Sequence, residues 1–379
     1  MSDMAASMDL RAALDLRRRL DAPPVVDRVA GLRAAAKAGG WLQALLKAVR
    51  GPGKLSVDEF FYYRLYQRGL SGADIARYVG KRIQSRLHDA CNDPRWGAVC
   101  HDKALFYTAL SGAGLPVPET RLLFDPRGRF GSFETCDDAQ ALRAFLAEPS
   151  NFPLFAKPSD GIYSIGAMSI ESSEGGMLTL KGGETVAIDV FITYVTGLTR
   201  EGYLFQKVVE PDPKLVQVLG GGLSAVRLLV LLGENGPQVE SAVLKMPREG
   251  SVADNYWRGN LLGALDKETG IIRRVVTGIG EALKEVARHP DTDRPVAGVA
   301  IPHWVDLVAL ARSAAAMFPG IRTQSWDIAL GGDGPTLMEL NFGGDLNLHQ
   351  LAHGRGILGP SYIAHLRRCG YKGPLPAAS

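Results

Sequence analysis

The sequence has few cysteines and no large excess of charge of either sign. Its 379 residues include four cysteines, and none of these stands in C-x-x-C spacing: Cys91, Cys100, Cys136 and Cys369. This usage is typical of a reducing compartment and argues against both a disulfide framework and a zinc cluster. The formal net charge is +3, which is too balanced to indicate nucleic acid as the partner.

The sequence also has no long hydrophobic run. Its first residues, MSDMAASMDL, do not have the charged-then-apolar order of a signal peptide. The most apolar stretch, residues 226–232, is interrupted by Arg227 and is far too short to span a bilayer. We therefore expect a cytoplasmic protein with no stable membrane insertion.

Several common enzyme motifs are missing or incomplete. The chain has no G-x-x-x-x-G-K-[ST] motif, which disfavours a P-loop NTPase. Residues 220–225 fit the dinucleotide pattern G-x-G-x-x-A, but the β-rich run that follows them is not the start of a helix. His349 and His353 have zinc-peptidase spacing, yet Gln350 replaces the glutamate that would act as general base. Packing or substrate contact is the better interpretation of these histidines.

The first 98 residues are predicted to form a helical N-terminal region. Val57, Phe60, Phe61 and Leu65 recur at helical spacing. Upstream, residues 1–54 contain ten Lys or Arg against five Asp. A basic arm of this kind could contact acidic lipids or RNA, but a solvated helix face packed on the main body is the favoured interpretation.

From about residue 99 the pattern changes to that of an α+β domain, predicted to extend to residue 376. Short apolar runs bounded by Gly, Pro or Asp predict strands at residues 152–156, 165–170, 203–209, 226–232 and 239–244. Two later helices are predicted at about residues 279–288 and 304–318. This order favours mostly antiparallel sheets over a regular βαβ alternation.

Two apolar strands flank a Gly-rich turn at residues 326–341 and predict a hairpin. Glu339 and Asn341 lie on the same face of the second strand. A five-residue loop at 331–335 places Asp327 opposite Glu339, whereas a four-residue loop turns Asp327 to the other face. In the first register two carboxylates and an amide converge, which are ligands suited to Mg²⁺. The alternative is a hairpin with solvent-facing acids, although charges within apolar strands are costly.

Another apolar strand, FPLFAKP at 152–158, delivers a single lysine before a loop that contains Gly161. Lys157 could neutralise phosphate charge while loop N–H groups bind the phosphate oxygens. An ordinary strand-end lysine that extends to water explains the same pattern equally well. The pattern by itself leaves both interpretations open.

Taken together, the motifs resemble the ATP-grasp superfamily, and most closely its sugar-transfer-associated branch. The resemblance covers roughly residues 55–370. It rests on an ordered set of segments: HDK (101–103), FAKP (155–158), YLFQK (203–207), SAVR (224–227), DN (254–255), DKETG (266–270), HPDT (289–292), IP (301–302), WDIA (326–329) and ELN (339–341). It implies two α+β lobes that grip ATP, a lid lobe at about 151–215 and a metal-binding lobe at about 216–376.

The resemblance also implies a role for each matching residue. Lys103 and Lys157 would contact the ATP phosphates. Arg227 would stabilise the transferring phosphoryl group, with Asn255 assisting. The strand from Gln206 through Lys207 and Val208 to Val209 would bind adenine, and Glu210 would lie near the ribose. Asp327, Glu339 and Asn341 would hold Mg²⁺, for which Mn²⁺ could substitute.

The chain departs from the family pattern where relatives face the acceptor substrate. Val226 stands where the family usually has Thr, and residues 256–260 read YWRGN where a double glycine is common. The expected reaction is ADP-forming activation of a carboxylate, on a small molecule or peptide, as an acyl phosphate that an amine or other nucleophile attacks. A small-molecule kinase, and a non-catalytic nucleotide-binding module of a cell-surface or polysaccharide pathway, remain as alternatives.

Overall fold

A computed structural model of the chain describes residues 25–67, 69–129, 131–160, 166–198, 202–251, 256 and 259–377. Its N-terminal part is helical, as predicted. Within the described part of residues 25–91 the chain forms five helices: α1 (Arg28–Ala38), α2 (Trp41–Arg50), α3 (Val57–Tyr62), α4 (Gly72–Ala76) and α5 (Lys81–Cys91). The start of α3 is fixed by a capping box, in which the Ser56 hydroxyl accepts from the Glu59 N–H and the Glu59 carboxylate accepts from the Ser56 N–H.

The remaining helices connect and cover the sheets. They are α6 (Ala98–His101), α7 (Lys103–Gly112), α8 (Ala139–Ala147), α9 (Ile188–Leu198), α10 (Pro213–Leu219), α11 (Trp304–Ala316), α12 (Leu346–His353) and α13 (Pro360–Arg368). Asp102 caps α7 by accepting from the N–H groups of Ala104 and Leu105. This cap fixes the position of Lys103, the first residue of the helix.

The first of two seven-stranded sheets has the strand order β2-β1-β7-β3-β4-β5-β6. Its strands are β1 (Thr120–Phe124), β2 (Thr135–Cys136), β3 (Leu154–Pro158), β4 (Met168–Glu174), β5 (Met177–Leu180), β6 (Thr185–Ala187) and β7 (Tyr203–Lys207). The β1–β2 pair is parallel, and the other strand pairs of this sheet are antiparallel. Two strands of this sheet, β1 and β2, precede residue 151, the position at which the lid lobe is expected to begin. The sheet by itself does not define the lobes, so the domain boundaries stay a prediction.

The second sheet is antiparallel throughout, with the order β12-β11-β10-β9-β8-β13-β14. Its strands are β8 (Ala225–Gly233), β9 (Gly236–Met246), β10 (Leu261–Leu265), β11 (Ile272–Thr277), β12 (Lys284–Glu285), β13 (Thr323–Gly331) and β14 (Gly334–Phe342). Helices α7 and α11 pack on one face and contribute Phe106, Leu307 and Ala311 to a core shared with Trp326. The α+β class with antiparallel pairing is the class that the sequence predicts.

The described N-terminal helices pack on the second sheet. Residues 1–24 of the basic arm predicted at 1–54 lie outside the described residues, and the rest of the arm contributes Ala35 of α1 and Ala48 of α2 to the contact. Phe60, Phe61 and Leu65 belong to one apolar cluster with Leu262 of β10 and Leu351 of α12. No helix in the described ranges has the length and apolar character needed to cross a membrane.

The helix predicted at residues 279–288 is wrong. The chain forms a short 3-10 turn at Gly280–Ala282 and then the two-residue strand β12, which pairs with β11. Ile279, Leu283 and Val286 have helical spacing, but Gly278 and Gly280 adopt positive φ angles of 77° and 52°. Such angles break a helix at its first turn.

Candidate active site

A cleft of about 290 Å³ lies between the two sheets and is lined by residues of both. The first sheet contributes Lys157 from β3 and Gln206 from β7, and the second contributes Asp327 from β13. Most of the residues that the sequence singles out line this cleft: Lys103, Lys157, Gln206, Lys207, Val208, Val209, Glu210, Asp327 and Glu339. Arg227 is not part of this lining, but it binds Asp327, which is. Gly161 and Asn255 lie outside the described residues.

Lys157 is buried at the floor of the cleft, at 8% exposure, and does not extend to water. Its ammonium donates to the Tyr107 hydroxyl at 2.7 Å and lies 5.1 Å from the Tyr107 ring centroid and 5.7 Å from that of Phe155. Burial lowers the pKa of Lys157 from 10.5 to about 8, although the charge of Glu339 raises it. Of the two interpretations left open by the sequence, the structure excludes the solvated lysine.

Lys103 enters the cleft from the first turn of α7. Its N–H donates to the Ser159 carbonyl at 2.9 Å, and the Ser159 hydroxyl donates to the capping carboxylate of Asp102, also at 2.9 Å. These bonds join the start of α7 to the chain just beyond β3, so Lys103 and Lys157 arrive at the same end of the cleft. The Lys103 ammonium lies 3.9 Å from the Glu339 carboxylate.

The β13–β14 hairpin places Asp327 directly opposite Glu339, as one of the two predicted registers requires. The route to that pairing differs from the prediction. The loop is not residues 331–335, because Gly331 pairs with Gly334 and the turn is only two residues long. A β-bulge between Asp327 and Ile328 shifts the register by one residue and restores the predicted pair.

Asp327 is held by two cations. Its carboxylate accepts two bonds of 2.6 Å from the Arg227 guanidinium and one of 2.9 Å from the Lys245 ammonium. Burial opposes ionisation, but the charges and hydrogen bonds of Arg227 and Lys245 outweigh it and hold the pKa of Asp327 well below its usual range. The Asp327 carboxylate is therefore ionised at neutral pH.

The hairpin carries the donor set expected for a magnesium ion. Asp327 and Glu339 are direct partners, and Asn341 lies two residues beyond Glu339 opposite Ser325, so all three are on one face. The buried amide nitrogen of Asn341 has no hydrogen-bond partner among the residues that the structure describes, and Asn341 itself lies beyond the cleft lining. Two carboxylates and an amide oxygen suit a hard cation with phosphate oxygens as further ligands.

The other end of the cleft is apolar and begins where β7 ends. Gln206 is buried, and its amide donates to the Thr120 hydroxyl at 3.1 Å. Beyond Lys207 the chain leaves the β3–β7 ladder, so Val208 and Val209 line the cleft outside regular strand pairing. Opposite them the second sheet contributes Ala329 and Met338. A flat aromatic base fits between apolar walls of this kind, with adjacent backbone groups available for recognition.

Two residues that matter to the site were not singled out from the sequence: Lys245, which lines the cleft, and Tyr107, which does not line it but binds Lys157. Lys245 is a lone lysine in the apolar run AVLKM of β9, the same signal that drew attention to Lys157. Tyr107 accepts from Lys157 and donates to the Met338 carbonyl at 2.8 Å, and nothing in its helical context marks it.

The paired histidines of α12 are buried beside β9. His349 Nδ1 lies 2.8 Å from the Ser241 hydroxyl, and His353 Nε2 lies 3.0 Å from the Ala242 carbonyl. Burial lowers the pKa of both imidazoles. These contacts agree with a packing role for the two histidines.

The family model described as sugar-transfer associated ATP-grasp matches residues 82–363. No curated protein matches the chain. Three solved structures illustrate what the chain is similar to. The first is the ATP-grasp ligase PsnB complexed with a minimal precursor, at 20% identity and a TM-score of 0.39, with 73% of this chain and 64% of that chain covered. The second is a RimK-domain ATP-grasp protein of Sphaerobacter thermophilus, at 15% identity and a TM-score of 0.35, with 69% of this chain and 67% of that chain covered. The third is a D-alanine–D-alanine ligase of Bacillus anthracis, at 12% identity and a TM-score of 0.39, with 76% of this chain and 74% of that chain covered.

The chain thus spans slightly less than two thirds of the PsnB chain. The range matched by the family model contains all the described strands of both sheets, together with the cleft between them.

Proposed function

This chain belongs to the sugar-transfer-associated ATP-grasp family, and from that premise we propose that it is an ATP-dependent, ADP-forming ligase. In this proposal it activates a carboxylate of a small molecule or peptide as an acyl phosphate, which an amine or another nucleophile then attacks. The observation that carries the proposal is the meeting of cations from both sheets at one end of the cleft, next to the carboxylates of the β13–β14 hairpin.

The charges of the cleft suit a nucleotide triphosphate. Lys103 and Lys157 come from the side of the first sheet, and Lys245 comes from the second. Lys157 and Lys245 are each 8% exposed, so phosphate oxygens would bind them with little competition from water. The apolar end, bordered by Val208 and Val209, would take the adenine.

The proposed chemistry requires positioning and charge neutralisation rather than a protein nucleophile. A substrate carboxylate oxygen attacks the γ-phosphorus, the bond to the β-phosphate oxygen breaks, and ADP leaves. The amine then attacks the acyl carbon, the acyl–oxygen bond breaks, and inorganic phosphate leaves with the bonding electron pair. Arg227 would balance charge that develops on the transferring group, and its bonds to Asp327 hold its guanidinium from one side.

Asp327, Glu339 and Asn341 would hold Mg²⁺, which when bound would neutralise phosphate charge. The present arrangement adds one requirement. Because Asp327 already accepts from Arg227 and Lys245, any metal contact must share this carboxylate with the two cations. The Glu339 side chain is 32% exposed, so it is the more accessible of the two carboxylate ligands. Its carboxylate lies 3.9 Å from the Lys103 ammonium.

The test is product analysis with purified full-length protein, ATP, Mg²⁺ and a panel of carboxylates. We expect ADP and phosphate, and hydroxylamine added in place of the natural nucleophile should trap a hydroxamate. The Lys157→Ala variant should give neither product, whereas the exposed-lysine control Lys284→Ala should behave as the parent. A stable phosphate ester would instead identify a kinase, and AMP with pyrophosphate would overturn the proposal.

A further inference from the structure

Three side chains with soft donor atoms meet away from the cleft, on the side of the second sheet covered by α5 and α13. They are Cys91, the last residue of α5; His365 of α13; and Cys369, which directly follows that helix. One donor atom from each lies within 4.8 Å of those of the other two. We call this group the Cys-His cluster. The sequence argued against such a cluster because the cysteines are scattered, but the fold brings them together.

Local structure explains the arrangement. The Cys369 N–H donates to the His365 carbonyl at 2.9 Å, so the two side chains stand one helical turn apart on the same face. The end of α5 is fixed by Asn92, whose amide exchanges hydrogen bonds of 2.8 and 3.0 Å with the backbone of Thr323 on β13. The cluster therefore joins two helices to the start of the strand that carries Asp327.

The distance between Cys369 and His365 matches that between two ligands of a tetrahedral zinc ion. Cys369 Sγ lies 3.5 Å from His365 Nε2. Zinc bonds of about 2.3 Å to sulfur and about 2.0–2.1 Å to nitrogen, at a tetrahedral angle, also place these two atoms about 3.5 Å apart. Two sulfurs and one imidazole nitrogen favour zinc over magnesium or calcium, which prefer oxygen ligands.

Buried polar atoms around the cluster are incompletely satisfied. Tyr362 is fully buried one turn before His365, and its hydroxyl has no hydrogen-bond partner within the part of the chain that is described. Its ring stacks on the imidazole of His365, with centroids 6.3 Å apart and an interplanar angle of 27°. A buried hydroxyl without a partner is costly, and it marks a place for a further ligand or ion.

Simple packing is the competing explanation, since buried cysteines often act as small apolar residues. Packing accounts for Cys91, and His365 Nε2 also lies 3.1 Å from the Thr323 hydroxyl. Neither explains why three soft donors lie within 4.8 Å of one another, or why the other imidazole nitrogen, Nδ1, has no hydrogen-bond partner among the described residues. We propose that Cys91, His365 and Cys369 bind a zinc ion, with water or the Tyr362 hydroxyl in the fourth position. Its role is structural and is separate from the ATP reaction.

The experiment uses full-length protein purified under reducing conditions, stripped of metal and then titrated with Zn²⁺ against a chromophoric chelator. We expect one equivalent per chain and a higher melting temperature. His365→Ala should weaken zinc binding at least about tenfold. Loss of a residue that only supports a metal ligand commonly has an effect of this size, and loss of the ligand itself should cost at least as much. A Cys100→Ser/Cys136→Ser double variant, which keeps the cluster, should bind as the parent does.

Titration of the parent with Co²⁺ provides a readout that does not depend on variants that fail to fold. Thiolate-to-cobalt charge transfer with tetrahedral ligand-field bands would support the site. Absence of these bands, or equal zinc binding by a Cys91→Ser/Cys369→Ser variant, would overturn it. A Cys91–Cys369 disulfide in metal-free protein, seen by mass, would also overturn it and would identify a redox pair instead.

Discussion

Lys157 carries its charge at a position from which water is largely excluded. Its partners are a hydroxyl and two aromatic faces rather than a carboxylate in direct contact. A cation held in this way keeps most of its attraction for an incoming anion, because no ion pair must first be broken. The same burial lowers the pKa of Lys157 to about 8, so its charge depends on pH near that value.

The first prediction concerns removal of this charge. Lys157→Ala should weaken ATP binding by about 1.5–3 kcal/mol, the range for a hydrogen bond to a charged group. Binding calorimetry measures the change, and circular dichroism should show an unchanged fold. Lys284→Ala, an exposed lysine on β12, is the matched control. Equal affinities of Lys157→Ala and parent would remove Lys157 from the phosphate site.

A second prediction follows from the lowered pKa of Lys157, about 8 in the folded chain against 10.5 ordinarily. Below pH 8 the ammonium is already charged, and burial makes that charge unfavourable to folding. Between pH 8 and 10.5 the folded state loses this proton before the unfolded state does, so the group's contribution to stability improves as pH rises. Bound phosphate restores the charge, so ATP binding should weaken above pH 8 and take up a proton.

Calorimetry at pH 9 in two buffers of different ionisation enthalpy measures that proton uptake. In Lys157→Arg the guanidinium is charged at all of these pH values, so binding should proceed without proton uptake at this position. Identical uptake in both proteins would assign the proton to another group.

The β13–β14 hairpin is the element in which the carboxylates differ most in environment. Asp327 is enclosed by Arg227 and Lys245, with 7% of its side chain exposed, whereas Glu339 is 32% exposed. Asp327→Asn removes the buried carboxylate that both Arg227 and Lys245 bind and should cost about 3 kcal/mol of stability. Glu339→Gln and Asn341→Ala should abolish turnover with little change in stability.

Thermal unfolding separates these cases. We expect the melting temperature of Asp327→Asn to fall by several degrees and those of Glu339→Gln and Asn341→Ala to stay close to the parent. If Glu339→Gln unfolds the protein while activity per folded molecule stays normal, Glu339 is a structural residue and the proposed metal site fails.

The same hairpin shows what sequence reasoning can reach. Alternation in apolar strands is enough to place Glu339 and Asn341 on one face. The bulge after Asp327 depends on how β13 meets β8 and β14 together, and no local pattern indicates it. The prediction of a helix at residues 279–288 was wrong for a related reason. The apolar spacing of these residues suits a helix, and it suits equally well the 3-10 turn that precedes β12. The Cys-His cluster depends on a contact between Cys91 and residues far from it in the sequence, His365 and Cys369, and such a contact cannot be predicted from local spacing.

At the scale of the whole molecule, the helical N-terminal region is part of the core of the second sheet. Phe61 is 1% exposed and clusters with Leu262 and Leu351. The contact is polar as well: the Tyr63 hydroxyl donates to Asn347 at 2.6 Å, and Gln350 of α12 accepts from the Val79 N–H at 2.6 Å. A division at residue 98 would therefore cut through a buried interface.

We predict that a chain beginning at residue 99 will not fold stably, because removing α1–α5 exposes the apolar surface of β10 and α12. A milder version of the same test is Phe61→Ala, which should cost about 3–5 kcal/mol, the usual loss for a buried phenylalanine. Val305→Ala, at a side chain that is 78% exposed, is the control and should be near neutral. Urea or thermal unfolding followed by intrinsic fluorescence measures both. A truncated chain that remains soluble, cooperative and able to bind ATP would show that residues 99–376 fold independently of the helices before them.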